Sequence, residues 1–162
     1  MIGRRDPMTD WSKVGRRSRR KGKKFEQLVA RSLSEATGRR FTSTRNSGRT
    51  DLRGDVYDVD NPSGSVIECK DRDLSIKSLI TGCKWLEVAV RKTEREAAGV
   101  AAIVFAKADG LVFAHCPGYN RPPAGSFLIH HWVRGMSDCE VTDVHGRVWW
   151  RVVIGRKVSP GG

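Results

Sequence analysis

The apolar and polar positions of the chain alternate between helical and extended patterns. A stripe of apolar side chains at helical spacing runs from Phe25 to Ala36, and Gly38 follows where a helix would end. This spacing predicts a helix over residues 18–37. A second helical pattern, with a charged outer face, covers residues 83–98 and also stops at a glycine. The other apolar segments are short and bounded by turn residues, which is typical of β-strands.

The short segments predict eight strands and one hairpin that matters for function. The predicted strands are residues 40–45, 55–59, 65–70, 100–105, 111–115, 127–133, 140–144 and 148–154. Residues 71–81 are predicted as a loop with a short helix. The order of elements predicts an α/β (α+β) domain with a mixed central β-sheet flanked by helices. The turn-rich stretch between the second and third strands predicts a hairpin. With residues 61 and 62 at its tip, Asp55 and Glu68 fall roughly opposite one another, and their Cβ atoms lie about 5 Å apart.

The chain divides into a short basic arm and one domain. Residues 1–17 show no periodicity, which predicts a flexible arm, and Met8 is an alternative start. The remaining residues, 18–162, are long enough for a single domain with its own core. Residues 127–156 are expected to add further strands to that domain. The tryptophans of this part, which are most simply core residues, are Trp132, Trp149 and Trp150.

Positive charge is concentrated in two segments. The net charge is +12; residues 1–24 carry ten Lys/Arg against two Asp, and residues 39–53 carry five Arg against one Asp. The rest of the chain is neutral overall, so the charge is not a general feature of the surface. Clusters of this kind favour nucleic acid as a partner, and a solvated basic tail is the alternative. The candidate phosphate-binding residues are Arg16, Arg17, Arg19, Arg20, Lys21, Lys23, Lys24, Arg45, Arg49 and Arg53.

Composition argues against several other classes. No apolar stretch approaches the roughly 20 residues of a membrane span, and the N-terminus has no hydrophobic signal core. We therefore expect a cytoplasmic protein, and we expect no small organic cofactor. His130 and His131 lie in an apolar run without a partner at ligand spacing, which disfavours a metal site there. The cysteines have no C-x-x-C spacing, which predicts that they are separate reduced thiols. They are Cys69, Cys83, Cys116 and Cys139.

The most informative motif is Gly54-Asp55 followed by the triplet Glu68-Cys69-Lys70. Two carboxylates can hold a hard cation such as Mg²⁺ through oxygen. The metal and a neighbouring ammonium can activate a water and neutralise charge on a phosphate. Strand alternation places Glu68 and Lys70 on one face. A simple ion pair for Lys70, and Asp51 in place of Asp55, are the alternatives.

A further acidic residue, Glu26, lies beside Phe25 at the edge of the helical stripe. It could point into a cleft next to the core, and a surface position is the alternative. Taken together, these features resemble the PD-(D/E)XK nuclease superfamily, and within it the archaeal-type and phage-encoded Holliday junction resolvases. The resemblance covers about residues 20–115. The residues that carry it are Glu26, Ser47, Gly48, Gly54, Asp55, Glu68 and Lys70. Gly54 stands where the superfamily's name has proline.

The resemblance implies a restriction-endonuclease-like core and a metal-dependent mechanism. Asp55, Glu68 and the Cys69 carbonyl would bind Mg²⁺, with Mn²⁺ as a substitute, and Glu26 would complete the acidic site. Lys70 would support the attacking water. A loop serine would act near the scissile phosphate, and the candidates are Ser47 and, as a second choice, Ser43.

The implied activity is cleavage of four-way DNA junctions in recombination and repair. A homodimer follows from this activity, because resolving such a junction requires two symmetric cuts. Two rivals stay open. One is a nuclease of the same superfamily that acts on other branched, damaged or duplex DNA. The other is a basic nucleic-acid-binding protein without catalytic activity.

Overall fold

The computed structural model describes residues 11–46, 52–97, 99–117 and 127–154, which form a seven-stranded sheet with helices on both faces. The strand order is β1-β2-β3-β4-β5-β7-β6. The strands are β1 (Phe41–Ser43), β2 (Val56–Asp58), β3 (Ser65–Leu74), β4 (Ala101–Ala108), β5 (Leu111–His115), β6 (Ser137–Thr142) and β7 (Val148–Val152). The helices are α1 (Trp11–Thr37), α2 (Ile76–Thr81), α3 (Lys84–Glu96) and α4 (Phe127–Gly135).

The sheet is mixed, as the element order predicts. Only the central pair β3–β4 is parallel among the described strands, and the other neighbours are antiparallel. A parallel pair needs a crossover connection, which α2 and α3 supply between β3 and β4. The α/β fold class and its restriction-endonuclease-like arrangement are therefore confirmed.

The two faces of the sheet carry separate apolar clusters. On one face the stripe of α1, including Phe25 and Leu33, packs on Ile67 of β3. On the other face Leu86 of α3 packs near Val104 of β4. The stripe on α1 explains where Glu26 lies: the residue after Phe25 is carried down onto the sheet and is only 2% exposed. A surface position for Glu26 is therefore wrong.

Several element boundaries differ from those predicted. Helix α1 begins at Trp11, so the predicted start at residue 18 is wrong, and residues 1–10 of the predicted arm lie outside the described residues. Strand β1 ends at Ser43 and is followed by a 3-10 turn, Thr44–Asn46. Strand β3 continues to Leu74, beyond the predicted end at residue 70.

The predicted strand over residues 127–133 is wrong, because this segment is the helix α4. A short apolar run fits a buried strand or a buried helix equally well by periodicity alone. Tertiary contacts decide for the helix: α4 contacts α1, β4 and β7, and buries Ile129, Trp132 and Val133 at helical spacing. His130 is buried too, and burial lowers the pKa of its imidazole, which favours the neutral ring.

The predicted core role of the tryptophans is confirmed for Trp132, Trp149 and Trp150, which are between 0% and 8% exposed. The predicted separation of the four cysteines also holds, because each is a free thiol. None of the helices in the described ranges has the length and apolar character that a membrane span requires.

Candidate active site

A cavity of about 540 Å³ opens between α1, the 3-10 turn after β1 and the free end of the β2–β3 ladder. It brings together residues that are far apart in sequence. Its lining residues are Arg19, Lys21, Gly22, Glu26, Arg45, Asp55, Cys69, Lys70, Asp71, Arg72 and Asp73. The cavity thus brings together Glu26, Asp55, Cys69 and Lys70 of the predicted site, because α1 crosses the sheet beside the point where β2 begins.

The hairpin brings the two carboxylates near one another. Val56 pairs with Ile67, and Asp55 and Glu68 flank this pair at the same end, where the charge of Glu68 acts on the Asp55 carboxyl. The Asp55 N–H donates to the Ile67 carbonyl at 2.7 Å. Asp55 lines the cavity itself, whereas Glu68 is not among the lining residues and is next to the cavity through its contact with Lys70.

The Asp55 side chain continues the hydrogen bonding to β3 at the point where the β2 backbone turns away from that strand. Its Oδ2 accepts a hydrogen bond of 2.8 Å from the Cys69 N–H. Ile67 and Cys69 are alternate residues of β3, and alternate residues direct both their N–H and their C=O to the same side of a strand. The Cys69 carbonyl therefore points toward the Asp55 side of β3. Three oxygen donors, from Asp55, Glu68 and Cys69, consequently belong to one short stretch of the hairpin.

Gly54 is required by the backbone at this point. Its φ is +78°, a conformation that other residues rarely adopt and that proline's ring excludes. A Cβ on Gly54 would stand 2.7 Å from the Ile67 carbonyl oxygen and 2.9 Å from the Ile67 nitrogen. The departure from the superfamily's proline is therefore a structural adaptation: glycine lets the chain pass directly against β3 before Asp55.

The electrostatics of the hairpin favour a bound cation. Burial and the charge of Glu68 raise the pKa of Asp55 to about 6, although the Cys69 N–H and Lys70 oppose the shift. Burial and the nearby Asp55 carboxylate also raise the pKa of the Cys69 thiol well above its ordinary value, so this thiol stays protonated. Crowded carboxylates of this kind are relieved by a positive ion, and oxygen donors suit Mg²⁺. The donor set thus fits the metal that the sequence implies.

Lys70 lies beside this acidic pair. Its Nζ is 2.9 Å from Glu68 Oε1, and the two side chains are on the same face of β3. The ion pair considered as an alternative for Lys70 is therefore present. It also keeps the ammonium at the cavity, which Lys70 lines.

Glu26 has different partners. Ser43 Oγ donates to Glu26 Oε2 at 3.0 Å, and Arg45 Nε lies 3.2 Å from Glu26 Oε1. The Arg45 N–H in turn donates to Ser43 Oγ at 3.3 Å. The side chains of Glu26, Ser43 and Arg45 thus form a connected network on the α1 side of the cavity.

The other predicted site residues do not all lie at the cavity. Ser47 and Arg49, together with the alternative carboxylate Asp51, lie outside the described residues. Arg53 donates to the Glu96 carbonyl at 2.6 Å, which ties it to the end of α3. Lys21 is paired with Asp71 and Asp73 at the cavity rim.

The remaining predicted DNA-binding residues lie in the first half of α1. The exposed ones are Arg16, Arg19, Arg20, Lys23 and Lys24, and the Arg17 side chain is outside the described set. Two cavity features were not anticipated from the sequence. Asp71, with its side chain 5% exposed, was only one of several available carboxylates, and Gly22 carries no signal that separates it from an ordinary helical glycine.

Within the described part of the chain, no group of three His, Cys, Asp or Glu side chains has the arrangement of a complete metal site. This is consistent with a donor set that combines two carboxylates with a backbone carbonyl, and with the separate network around Glu26.

The mixed sheet, Asp55 and Glu68 flanking the Val56–Ile67 pair, and Lys70 next to them define a PD-(D/E)XK nuclease. Comparison with known protein families agrees with this class: residues 17–115 match the family described as "Phage putative PDDEXK endonuclease". The match covers more than half of the chain, and the chain belongs to this family. No curated protein and no solved structure matches it. The family is one of nucleases, whose substrate class is DNA.

Proposed function

We propose that this nuclease is a metal-dependent, structure-selective endonuclease that hydrolyses phosphodiester bonds in four-way DNA junctions. The observation that carries the catalytic part is that Asp55 and Glu68 flank the Val56–Ile67 pair, with Lys70 on the same strand face as Glu68. The preference for junctions is supported by the resemblance of the motif layout to Holliday junction resolvases.

Asp55, Glu68 and the Cys69 carbonyl are the residues that would hold Mg²⁺, or Mn²⁺ in its place. When bound, such an ion supplies electrostatic stabilisation of the phosphate and lowers the pKa of a water molecule. Asp55 is prepared for this role by its hydrogen bond from the Cys69 N–H, which fixes the carboxylate against the strand edge. Glu68 is held by Lys70 on the other side.

Lys70 has the position of a group that orients the attacking water. Its side chain is 25% exposed, and its ammonium is in contact with Glu68, so the group is held at the site without being fully buried. An ammonium there can donate hydrogen bonds to a water or to a developing phosphate charge.

Exposed basic residues on the first half of α1 would hold the DNA backbone. Arg19 lines the cavity itself, and Arg16, Arg20, Lys23 and Lys24 are exposed along the same helix. Contacts from Arg and Lys to phosphates bind without reading bases, and their affinity falls steeply with salt. Two symmetric cuts in a junction call for two copies of the site, so we propose a homodimer as the active form.

The decisive experiment compares cleavage of a four-way junction with that of a linear duplex of matched sequence, each with Mg²⁺, Mn²⁺ or EDTA. We expect metal-dependent cleavage that favours the junction. Equal cutting of both substrates would instead support a nuclease for duplex or other DNA. Absence of metal-dependent cutting on all branched and linear substrates would leave only the non-catalytic DNA-binding alternative.

Variants connect that activity to the hairpin. Asp55→Asn and Glu68→Gln should each lower cleavage on the order of 10³-fold while DNA binding persists, because they remove charge at the reaction centre. Asp138→Asn is a matched control, since this carboxylate pairs with Arg151 on β6 and β7. It should cleave normally.

A further inference from the structure

We propose that Glu26 is a positioning residue for Arg45, and that Arg45 binds a phosphate of the DNA in the cavity. This inference rests on the proposed function and assigns Glu26 a different role from that of the metal ligand implied by the family resemblance.

Both oxygens of the Glu26 carboxylate are engaged by protein donors. Oε2 accepts from Ser43 Oγ at 3.0 Å, and Oε1 lies 3.2 Å from Arg45 Nε. The side chain is only 3% exposed, so these contacts compensate a buried charge. A divalent ion on either oxygen would lie within about 5 Å of the guanidinium, where two positive charges repel. The network therefore favours Arg45 over a metal as the direct partner of Glu26.

Arg45 has the opposite exposure. Its side chain is 47% exposed and lines the cavity together with Asp55 and Lys70. Arginine carries five N–H donors, and the ion pair with Glu26 is made on the Nε side of the guanidinium. The two terminal nitrogens can then meet phosphate oxygens in the bidentate geometry that guanidinium favours.

The surface of α1 leaves room for this guanidinium. A Cβ on Gly22 would stand 3.8 Å from Arg45 Nη2, and Gly22 lines the cavity. A long side chain at this helical position would occupy the space beside the guanidinium. Ser43 completes the support, because its Oγ accepts from the Arg45 N–H while donating to Glu26. The orientation of Arg45 is thus fixed from α1, from β1 and from its own backbone.

Whether a variant binds DNA more tightly or more weakly than the parent tests the role of Glu26, and this measurement needs neither metal nor cleavage. Binding of a four-way junction is measured in EDTA over a range of salt for the parent, Glu26→Gln and Asp55→Asn. Asp55→Asn is the matched control: it removes one negative charge next to DNA, so its binding should tighten. Glu26→Gln removes the same charge but loosens Arg45, so its binding should weaken about three- to tenfold with a salt slope smaller by about 1.

Arg45→Gln supplies the second variant, because a half-exposed side chain can be replaced without disturbing the core. It should show the same loss of slope, and the Glu26→Gln/Arg45→Gln double variant should lose little more than either single one. The inference is overturned if Glu26→Gln tightens binding as Asp55→Asn does or leaves it unchanged, or if the two losses simply add.

Metal titration gives an independent measurement. The Mn²⁺ dissociation constant, measured by calorimetry, should change less than about twofold in Glu26→Gln and rise at least about tenfold in Asp55→Asn. A tenfold rise in Glu26→Gln would make Glu26 a metal ligand and overturn the inference. If the parent protein cleaves no DNA, the proposed function fails, while the EDTA binding series still decides the role of Arg45.

Discussion

Replacing Gly54 by alanine should damage both the fold and the site more than the loss of any ordinary turn glycine. Gly54 has φ +78°, and a new Cβ would lie 2.7 Å from the Ile67 carbonyl oxygen. The left-handed conformation costs an alanine roughly 1 kcal/mol. The backbone at Gly54 must also move away from β3. The resulting backbone strain costs about 1 kcal/mol, and the weakened hydrogen bond from the Asp55 N–H to the Ile67 carbonyl costs about 1 kcal/mol more. The total loss is about 3 kcal/mol.

Gly110 provides a control that separates conformation from contact. Its φ is +76°, close to that of Gly54, and a Cβ there would meet nothing within 4 Å. Gly110→Ala should therefore cost only about 1 kcal/mol, the price of the conformation alone. Urea denaturation followed by tryptophan fluorescence measures both losses, provided that the m-values agree.

The cleavage activity of the two glycine variants should follow the same order as their stability. A shift of the Asp55 carboxylate by about 1 Å is expected to lower cleavage by about 10²-fold in Gly54→Ala, even where the protein is folded. Gly110→Ala should cleave like the parent. If Gly54→Ala is no less stable than Gly110→Ala, the close approach to Ile67 does not constrain the hairpin and the explanation of this glycine is wrong.

Three other predictions concern separate parts of the molecule. Arg147 and Arg91 lower the pKa of Glu87 to about 2, so this carboxylate stabilises the fold above its unfolded pKa near 4.5, and that contribution is lost as pH falls toward 2. Because solvent screens this partly exposed ion pair, Glu87→Gln should lower the free energy of unfolding by about 1 kcal/mol at pH 7 and by nothing at pH 2. Denaturant titrations at both pH values measure this difference, and equal losses at the two would contradict it. Lys70→Met should lower kcat by at least about 10²-fold without lowering the melting temperature, and normal turnover would show that its ion pair is only structural. Phe105→Ala should destabilise the sheet by about 3–5 kcal/mol in urea, because its side chain is 2% exposed, and a loss below about 1 kcal/mol would contradict its place in the core.

Local patterns predicted the parts of the fold that depend on near neighbours in sequence. The apolar stripe of α1 identified which face of the helix packs on the sheet. The turn residues between β2 and β3 were sufficient to predict the hairpin, and its Val56–Ile67 pair has the register that a tip at residues 61 and 62 gives. Hairpins permit this because their two strands are joined by a short connection that fixes which residues stand opposite.

Where the hydrophobic pattern of a segment has no distinctive period, its secondary structure was decided only by the tertiary structure. The apolar run 127–133 fits a strand as well as a helix, and its contacts with α1, β4 and β7 select the helix. The basic cluster before Phe25 carried no apolar stripe, so periodicity alone did not show that α1 begins as early as Trp11. In both cases the pattern of single residues leaves more than one conformation open.

The sequence by itself determined the class of protein and brought the candidate carboxylates and lysine onto one hairpin. Only the tertiary structure decided that Glu26 meets Ser43 and Arg45, since these contacts join α1 to the end of β1. It also decided that Gly54 must be glycine, because the reason is the closeness of β3. Local periodicity constrains neighbours along the chain, whereas the partners of a buried charge are set by which elements pack together.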